Sequence, residues 1–563
     1  MFANQAEKAL AILLSIGGFL TTITVVTWNL NEPVNAPKLL VLGALAGGAL
    51  FFVARDRSLF TKLIEFKPLL LSSILFVFSA LISILFSESS VVHGFYGVLG
   101  RNTGFLTYFC LAVILLSCSL LRSKESVDRV LDGLFYAGVA NVIYFMFSQL
   151  GIELISWSNP GDRILGTFGN SNFAGAFMAI FVVLCFARIV DKNYNLKWKI
   201  ALGILILISI YEIKMTDAVQ GILVSGIGLA VLVYFLIRSR WDSKIILGLY
   251  STLILIIGTL VTAGAFQKGP LSSLIYKPSL TFRGEYWNAG WQMGISHPLL
   301  GVGMDSYGIW YRRMRAPSAL ISPGAETTSD TAHNVFLDIS SYGGFPLLII
   351  YVVLMVLVFI SGVKVLKRSI GFNPVFVGLF GGWVAFQAQS IISINQIGLA
   401  MWGWILSGLI VGYEINNRNI AVVDTATKKG RVAGKPSQTS AGSVVALFIA
   451  FVLGVLFISG DIFLCIFFIF FENPLHNFIF FNNFIELCFI HSIYEFNLLN
   501  TIGFAEYFNQ IPKFIVLNML TNSRHYGIRW YSLVFAGICW YLLVFACIRW
   551  YSLVNALLLT VIG

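Results

Sequence analysis

Arginine, histidine and tryptophan gather in one polar stretch of an otherwise greasy chain. Between about residues 266 and 341 the apolar runs stop, and four short motifs follow in order: TFRGEYW (Thr281 to Trp287), SHPLLGVG (Ser296 to Gly303), WYRRMR (Trp310 to Arg315) and TAHN (Thr331 to Asn334). Arg283, Trp287 and Trp291 are spaced by four, so on a helix they share one face. A guanidinium there can donate two parallel hydrogen bonds to a diphosphate. It could equally be an interfacial arginine held among tryptophan rings by cation–π contact. Arg312, Arg313 and Arg315 form a second basic group, suited to lipid headgroups or to collecting an anionic lipid-linked substrate. His333 titrates near neutrality and can take a proton from an attacking hydroxyl, although a lone histidine is more often structural. His297 is followed by Pro298 in a segment closed by Gly301 and Gly303, which reads as turn architecture.

Other chemistries find no support in the residue pattern. Glu285, Asp305, Glu326, Asp330 and Asp338 form no DxD or HxxxH pairing, so no metal-ligand set is indicated. No phosphate-cradling Gly-rich strand–helix motif occurs, so a nucleotide is not indicated, and the chain asks for no cofactor. Three polar patches lie at the ends of earlier apolar runs. GRNTG (Gly100 to Gly104) carries Arg101. FGNSNFAG (Phe168 to Gly175) carries Asn170 and Asn172, apt for capping a helix. TDAVQG (Thr216 to Gly221) carries Asp217 and Gln220.

The elements that must position these residues are membrane helices. The chain of 563 residues is 58% hydrophobic and only 11% charged, with a mean hydropathy of +0.84. Soluble domains are about a quarter charged. A helix needs about 20 apolar residues to cross the hydrocarbon core. On that basis spans are expected near 9–29, 37–54, 68–86, 103–121, 130–150, 168–187, 198–213, 217–237, 245–265, 344–363, 374–393 and 398–413, with a thirteenth candidate near 442–459. The first is not read as a cleaved signal peptide, because it lacks a small-x-small site and more spans follow.

Loop charge sets the expected orientation. With a cytoplasmic N-terminus, the cytoplasmic loops carry Arg55, Arg57, Lys62, Lys67, Lys192, Lys197 and Lys199, whereas the short outer loops hold one cation each at most, such as Lys38, Arg101, Arg163 and Lys214. This agrees with the positive-inside rule and turns the long 266–341 loop outward. The net charge of +11 is mostly that cytoplasmic belt, for which contact with anionic lipid suffices. No basic soluble domain exists to bind nucleic acid. The seven cysteines are scattered without a CxxC pair and read as small apolar residues.

Residues 1–414 thus form the membrane domain. Residues 415–441, polar and small, read as a cytoplasmic linker. Residues 442–563 read as a further transmembrane helix and an atypical aromatic-rich tail. Within that tail IRWYSLV (528–534), ICWYLLV (538–544) and IRWYSLV (548–554) recur at steps of ten, too short a period for a helical-hairpin unit. Two readings stand: an out-of-frame or degenerate extension of a tandem DNA repeat, or a genuine terminal helix pair at the membrane interface. A homologous continuation in another reading frame would favour the first.

Taken together, residues 1–415 resemble the O-antigen ligase family of bacterial membrane glycosyltransferases, which share a domain with O-antigen polymerases. The resemblance rests on Arg283 and Trp287 ahead of His297 to Gly303 with Tyr307 soon after, on the His333–Asn334 pair before the next span, and on GTFGNSNFAGAF at 166–177. It implies an all-α, polytopic bundle of about twelve transmembrane helices of the GT-C type with an outward catalytic loop, in the bacterial inner membrane. It implies metal-independent, inverting transfer of a glycan from undecaprenyl diphosphate to a hydroxyl of a lipid-linked, glycolipid or protein acceptor. Carried over, Arg283 clamps the leaving diphosphate and His333 orients or deprotonates the acceptor. Arg101, Arg312, Arg313, Gln220, Trp287 and Asn334 are expected to contact substrate. Many members carry an arginine in a Ser-Arg-Gly element where this chain has Thr216 to Gly221 and only Gln220. Either Arg101 or the 312–315 cluster then supplies the second cation, or the chain is a divergent branch with another substrate. A chain-extending polymerase would differ only in its acceptor. A bicarbonate or solute transporter, a label some relatives carry, should show inverted repeats and mid-membrane charges; residues 1–415 show no repeat.

Overall fold

Each of the twelve expected spans falls on a helix of the computed structural model, which describes residues 5–26, 32–155, 163–241, 243–369 and 371–428. In chain order the helices are α1 (Gln5–Ile23), α2 (Asn35–Arg55), α3 (Arg57–Leu63), α4 (Lys67–Phe86), α5 (Val91–Tyr96), α6 (Phe105–Cys118), α7 (Lys124–Gln149), α8 (Ser171–Val190), α9 (Leu196–Met215), α10 (Val219–Trp241) and α11 (Lys244–Ala265). They are followed by α12 (Ser272–Ile275), α13 (Pro278–Ser296), α14 (Tyr307–Met314), α15 (Val335–Arg368), α16 (Pro374–Ile392) and α17 (Ile397–Lys428). No strand occurs among the described residues, so the chain is an all-helical, polytopic membrane bundle.

Ten of the described helical segments are long and apolar enough to cross a membrane. Two expected spans fall short of that standard for visible reasons. α6 has only 14 residues, but nearly all of them are buried, so it is an interior helix. α9 carries Lys197, Lys199, Glu212 and Lys214 within its 20 residues. Large apolar side chains face outward elsewhere, as at Leu207 (69% exposed), Ile245 (76%) and Leu255 (70%). Water would penalise so extensive an apolar surface, whereas lipid does not.

The helix starts obey local chemistry. Ser123, Asn170, Asn195, Ser243 and Asn373 each accept a backbone N–H in the first turn of α7, α8, α9, α11 and α16, as N-cap residues do. At one end of the bundle the cationic belt is partly paired within the protein. Lys62 meets Glu7 at 2.6 Å, Arg122 meets Glu65 at 2.6 Å, Arg188 meets Asp132 at 2.6 Å and Arg368 meets Glu414 at 2.7 Å. Lys38, read from sequence as an outer-loop cation, is fully buried in α2. Its ammonium donates to the carbonyls of Thr21 (3.1 Å), Thr22 (2.5 Å) and Thr24 (3.0 Å), and so satisfies acceptors that the end of α1 leaves open.

The stretch expected as one long loop is largely helical. α13 occupies 19 of its residues and starts at Pro278, a residue suited to a first helical turn. Its buried face is built from Ala289, Gly290, Met293 and Gly294, and it lies against α15. That narrow stripe of small residues buries a polar helix without lifting the hydropathy, so the segment reads as a gap in sequence. α15 begins at Val335, before the expected 344, and is broken at Gly343 and Gly344. Gly344 takes φ 67° with the carbonyl of Pro298 against it, a position with no room for a side chain. The linker read from 415 continues α17 as far as Lys428. The remainder of the linker, the 442–459 span and the repeat-bearing tail lie outside the described residues.

Candidate functional site

His333 stands in a turn that the surrounding chain over-determines. Asn334 caps α15, its side-chain oxygen accepting the N–H groups of Phe336 (3.0 Å) and Leu337 (3.2 Å). Asp338, one turn into the helix, reaches back to the Ala332 N–H at 2.7 Å. The Thr331 hydroxyl accepts the His333 N–H at 3.2 Å, and the Trp287 indole N–H donates to the His333 carbonyl at 3.4 Å. These contacts hold His333 at φ 52°, a left-handed conformation that costs a non-glycine residue about 1–3 kcal/mol and tends to mark functional sites. The imidazole lies against the Tyr286 ring, 5.6 Å between centroids. Tyr286 is itself fixed by the Tyr307 hydroxyl on its carbonyl at 2.7 Å.

Arg283 comes from the second turn of α13. Among the described residues it has no ion pair and no hydrogen-bonded partner, and burial alone pulls its pKa below the ordinary arginine value. A partly desolvated guanidinium without a protein anion keeps its hydrogen-bond donors available. Its charge is felt by His333. Burial first, then Arg283 and Arg101, push the His333 pKa from 6.5 to about 3. The imidazole is therefore neutral at physiological pH, and burial and the two cations oppose its protonation.

Arg101 reaches this place on a loop that is pinned from across the molecule. Asp305, two residues after the GVG of the SHPLLGVG segment, is fully buried. Its carboxylate accepts the N–H groups of Val98 (2.8 Å) and Thr103 (3.2 Å), the Thr103 hydroxyl (2.8 Å) and the Tyr342 hydroxyl (3.2 Å). Burial raises the Asp305 pKa, and the hydrogen bonds from Thr103 and Val98 together with Arg101 oppose the rise. The loop tip also forms an ion pair between Arg101 and Asp330 at 3.7 Å. The SHPLLGVG backbone docks in turn on the break in α15, with Val302 N–H on Ser341 (2.7 Å) and Phe345 N–H on Pro298 (2.8 Å).

Arg101, Arg283 and His333 line one cavity of about 280 Å³, together with Glu32, Asn35, Phe168, Asn170, Asn172, Asn395 and Gln396. That volume lies at the small end of ligand pockets and suits a charged head and an adjoining ring better than a whole glycan. The other residues singled out from sequence do not line it. Trp287 and Asn334 act on the His333 turn. Arg312 and Arg313 are exposed on α14, with Arg313 over the Trp310 ring at 5.0 Å. Arg315 donates to the carbonyls of Ala325 (2.8 Å) and Thr327 (3.2 Å). Gln220 is buried, and neither atom of its amide has a partner. The turn before it holds Asp217 bound to Lys277 at 2.6 Å and Arg163 at 3.4 Å. His297 sits on the Trp310 ring and bonds Ser296 at 2.9 Å. Among the described residues no cluster of three or more His, Cys, Asp or Glu could hold a metal ion.

Residues 204–352 match the O-antigen ligase family model. The motif-based resemblance is thereby borne out, and the match supports a membrane glycosyltransferase of that general type. No curated protein matches the chain. The O-antigen ligase match takes in Arg283, His333, Asp305 and the whole of α13, as well as the Thr216 to Gly221 turn. Arg101, Glu32, Asn172 and Asn395 lie outside it, so the ligase-type segment forms one side of the cavity and the flanking helices form the rest. Asp305 and Asp338 were named in the sequence only as acids without a metal pattern. Their buried carboxylates show a scaffolding role that no spacing could signal.

Proposed function

We propose that the cavity binds the diphosphate of an undecaprenyl-diphosphate-linked glycan, and that the protein transfers the glycan to an acceptor hydroxyl during assembly of cell-surface polysaccharide. The observation that carries this reading is the juxtaposition in one cavity of an unpaired Arg283, a second cation at Arg101 and a neutral His333. Arg101 takes the part of the arginine that is missing at Thr216 to Gly221. In the reaction the acceptor oxygen forms a bond to the anomeric carbon while the bond from that carbon to the diphosphate oxygen breaks. The bonding pair leaves with the diphosphate, where Arg283 and Arg101 stabilise the growing charge. The acceptor proton passes to His333, whose basicity rises as the bound diphosphate offsets the positive charges of Arg283 and Arg101. Attack opposite the leaving group inverts the anomeric centre.

The chain sits in the bacterial plasma membrane with a cytoplasmic N-terminus and the cavity on the outer side, where the finished lipid-linked glycan is presented. The acceptor is a lipid-linked glycan, a glycolipid or a protein. The decisive experiment incubates the purified protein with a lipid-diphosphate-linked glycan and candidate acceptors. Arg283→Ala and His333→Ala should each lower transfer by at least about 100-fold, as loss of a transition-state donor does, with membrane insertion intact. Near-normal transfer by both variants would sink the assignment.

A further inference from the structure

The polar stretch ahead of α15 carries an apolar edge that the cavity does not use. α13 buries Ala289, Gly290, Met293 and Gly294, and it lies against α15. On its open side Trp291 is 46% exposed and Ile295, one turn on, 48%, while Leu299, in the turn that follows, is 71% exposed. Apolar side chains this open are costly to leave in water. They also continue a surface already present. The Trp291 ring meets the Phe345 ring edge-on, 6.0 Å between centroids, and the Leu299 backbone packs on Gly344 at the break of α15. Beyond Phe345 the same face of α15 runs on through Ile349, Val353, Val356 and Ile360, all exposed and spaced by three or four. That face belongs to the membrane-spanning part of α15, so it meets lipid, and the edge of α13 extends it across the break.

Cations stand beside this edge. The His297 ring lies on the Trp310 ring at 4.8 Å and Ser296 reaches the Met314 sulfur at 3.9 Å, so α14 packs at the end of α13. Ile309 is exposed there, and Arg312 and Arg313, three and four residues on, share its face. Neither arginine forms an ion pair among the described residues, and Arg313 lies over the Trp310 ring. Apolar and aromatic side chains flanked by arginines fit the boundary between acyl chains and anionic headgroups. We infer that the end of α13 and α14 lie in that boundary, in the leaflet on the cavity's side. Trp291, Ile295 and Leu299 sit among acyl chains, and Arg312 and Arg313 meet the phosphates of anionic lipids. Arg283 precedes Trp291 by eight residues, about 12 Å along the helix axis. The anchored end thus keeps Arg283 near the depth at which a membrane lipid carries its phosphates. The anchoring itself does not depend on what the cavity binds.

The test places the full-length protein, its native cysteines replaced, in vesicles of phosphatidylethanolamine and phosphatidylglycerol. A fluorophore is attached at Ile295→Cys or Leu299→Cys, with Ile349→Cys as the lipid-facing standard and the exposed Glu326→Cys as the aqueous one. Lipid spin-labelled on its acyl chain should quench positions 295 and 299 as strongly as 349, and aqueous iodide should quench only 326. Spin-labelled phosphatidylglycerol should be enriched over spin-labelled phosphatidylcholine at position 295 by about five-fold for each arginine. Arg312→Ala combined with Arg313→Ala should remove that preference and leave the depth unchanged. Quenching of 295 and 299 by iodide and not by lipid would overturn the inference. Shielding of both positions from both quenchers would overturn it too, because a protein partner or a second copy would then cover the edge. Equal quenching by the two headgroup types before the arginines are replaced would take Arg312 and Arg313 off the lipid phosphates and overturn that part.

Discussion

His333 shows how a residue with an ordinary titration range can be set to one form. Unfolded, it titrates at 6.5; in the site, burial and the two arginines bring it to about 3. Between these values the unfolded chain holds a proton that the folded site refuses. Its contribution to stability is therefore complete above about pH 6.5 and is lost as pH falls toward 3. Two outcomes are expected. For transfer, kcat/KM, which follows the free protein, should show no acid limb from His333 between about pH 8 and 5. The apparent melting temperature of the wild type should also fall more steeply below pH 6.5 than that of His333→Gln. A limb in kcat/KM near pH 6.5 would show that the imidazole is not held neutral. The sequence named Arg283 and His333 by type and spacing. It could not separate Arg101 from Arg312 and Arg313 as the second cation, because that choice depends on which loop is folded against the cavity. Nor could it show that Trp287 and Asn334 serve the backbone of the His333 turn, since their hydrogen bonds depend on local geometry.

At the scale of elements, the site depends on a buried carboxylate that ties two loops together. Asp305 is the acceptor for both strands of the turn that presents Arg101, and its own position follows from the docking of the SHPLLGVG segment on the break in α15. Asp305→Ala should leave two backbone N–H groups and two hydroxyls without their acceptor, a loss of about 3 kcal/mol. A fall in the apparent melting temperature in detergent and a rise in the donor KM are both expected. An unchanged melting temperature with unchanged KM would show that the 97–104 loop holds its shape without Asp305. Helices were legible at all twelve expected spans, ten of them long and apolar enough to cross a membrane, because a long apolar run has few other uses. α13 was not legible as a buried element. It hides only Ala289, Gly290, Met293 and Gly294, and its remaining faces keep their polar residues. The stop of α15 at Gly343 and Gly344 was likewise invisible, because that break answers to the Pro298 carbonyl, distant in sequence.

For the whole molecule, orientation is the property with the most direct functional consequence, because it decides which lipid-linked substrates the cavity can meet. A membrane-impermeant maleimide applied to intact cells should label Ser318→Cys, beside the cavity loops, and should not label Lys192→Cys, in the loop after α8. Both positions are exposed in the fold, and the described native cysteines, Cys110, Cys118 and Cys185, are buried. The reverse labelling pattern would turn the molecule over. Hydrophobic length and loop charge by themselves determined that this is a many-helix membrane protein, and the motif order determined the ligase-type resemblance. Both are local properties: a span is written in one run of residues, and a motif in its own spacing. The cavity is not local. It joins Glu32 and Asn35, Arg101, Asn172, Arg283 with His333, and Asn395 with Gln396, stretches hundreds of residues apart. Only the packing of α2, α6, α8, α13, α15 and α17 brings them to one place. Tertiary structure therefore decided which cations share a cavity and which stand apart from it.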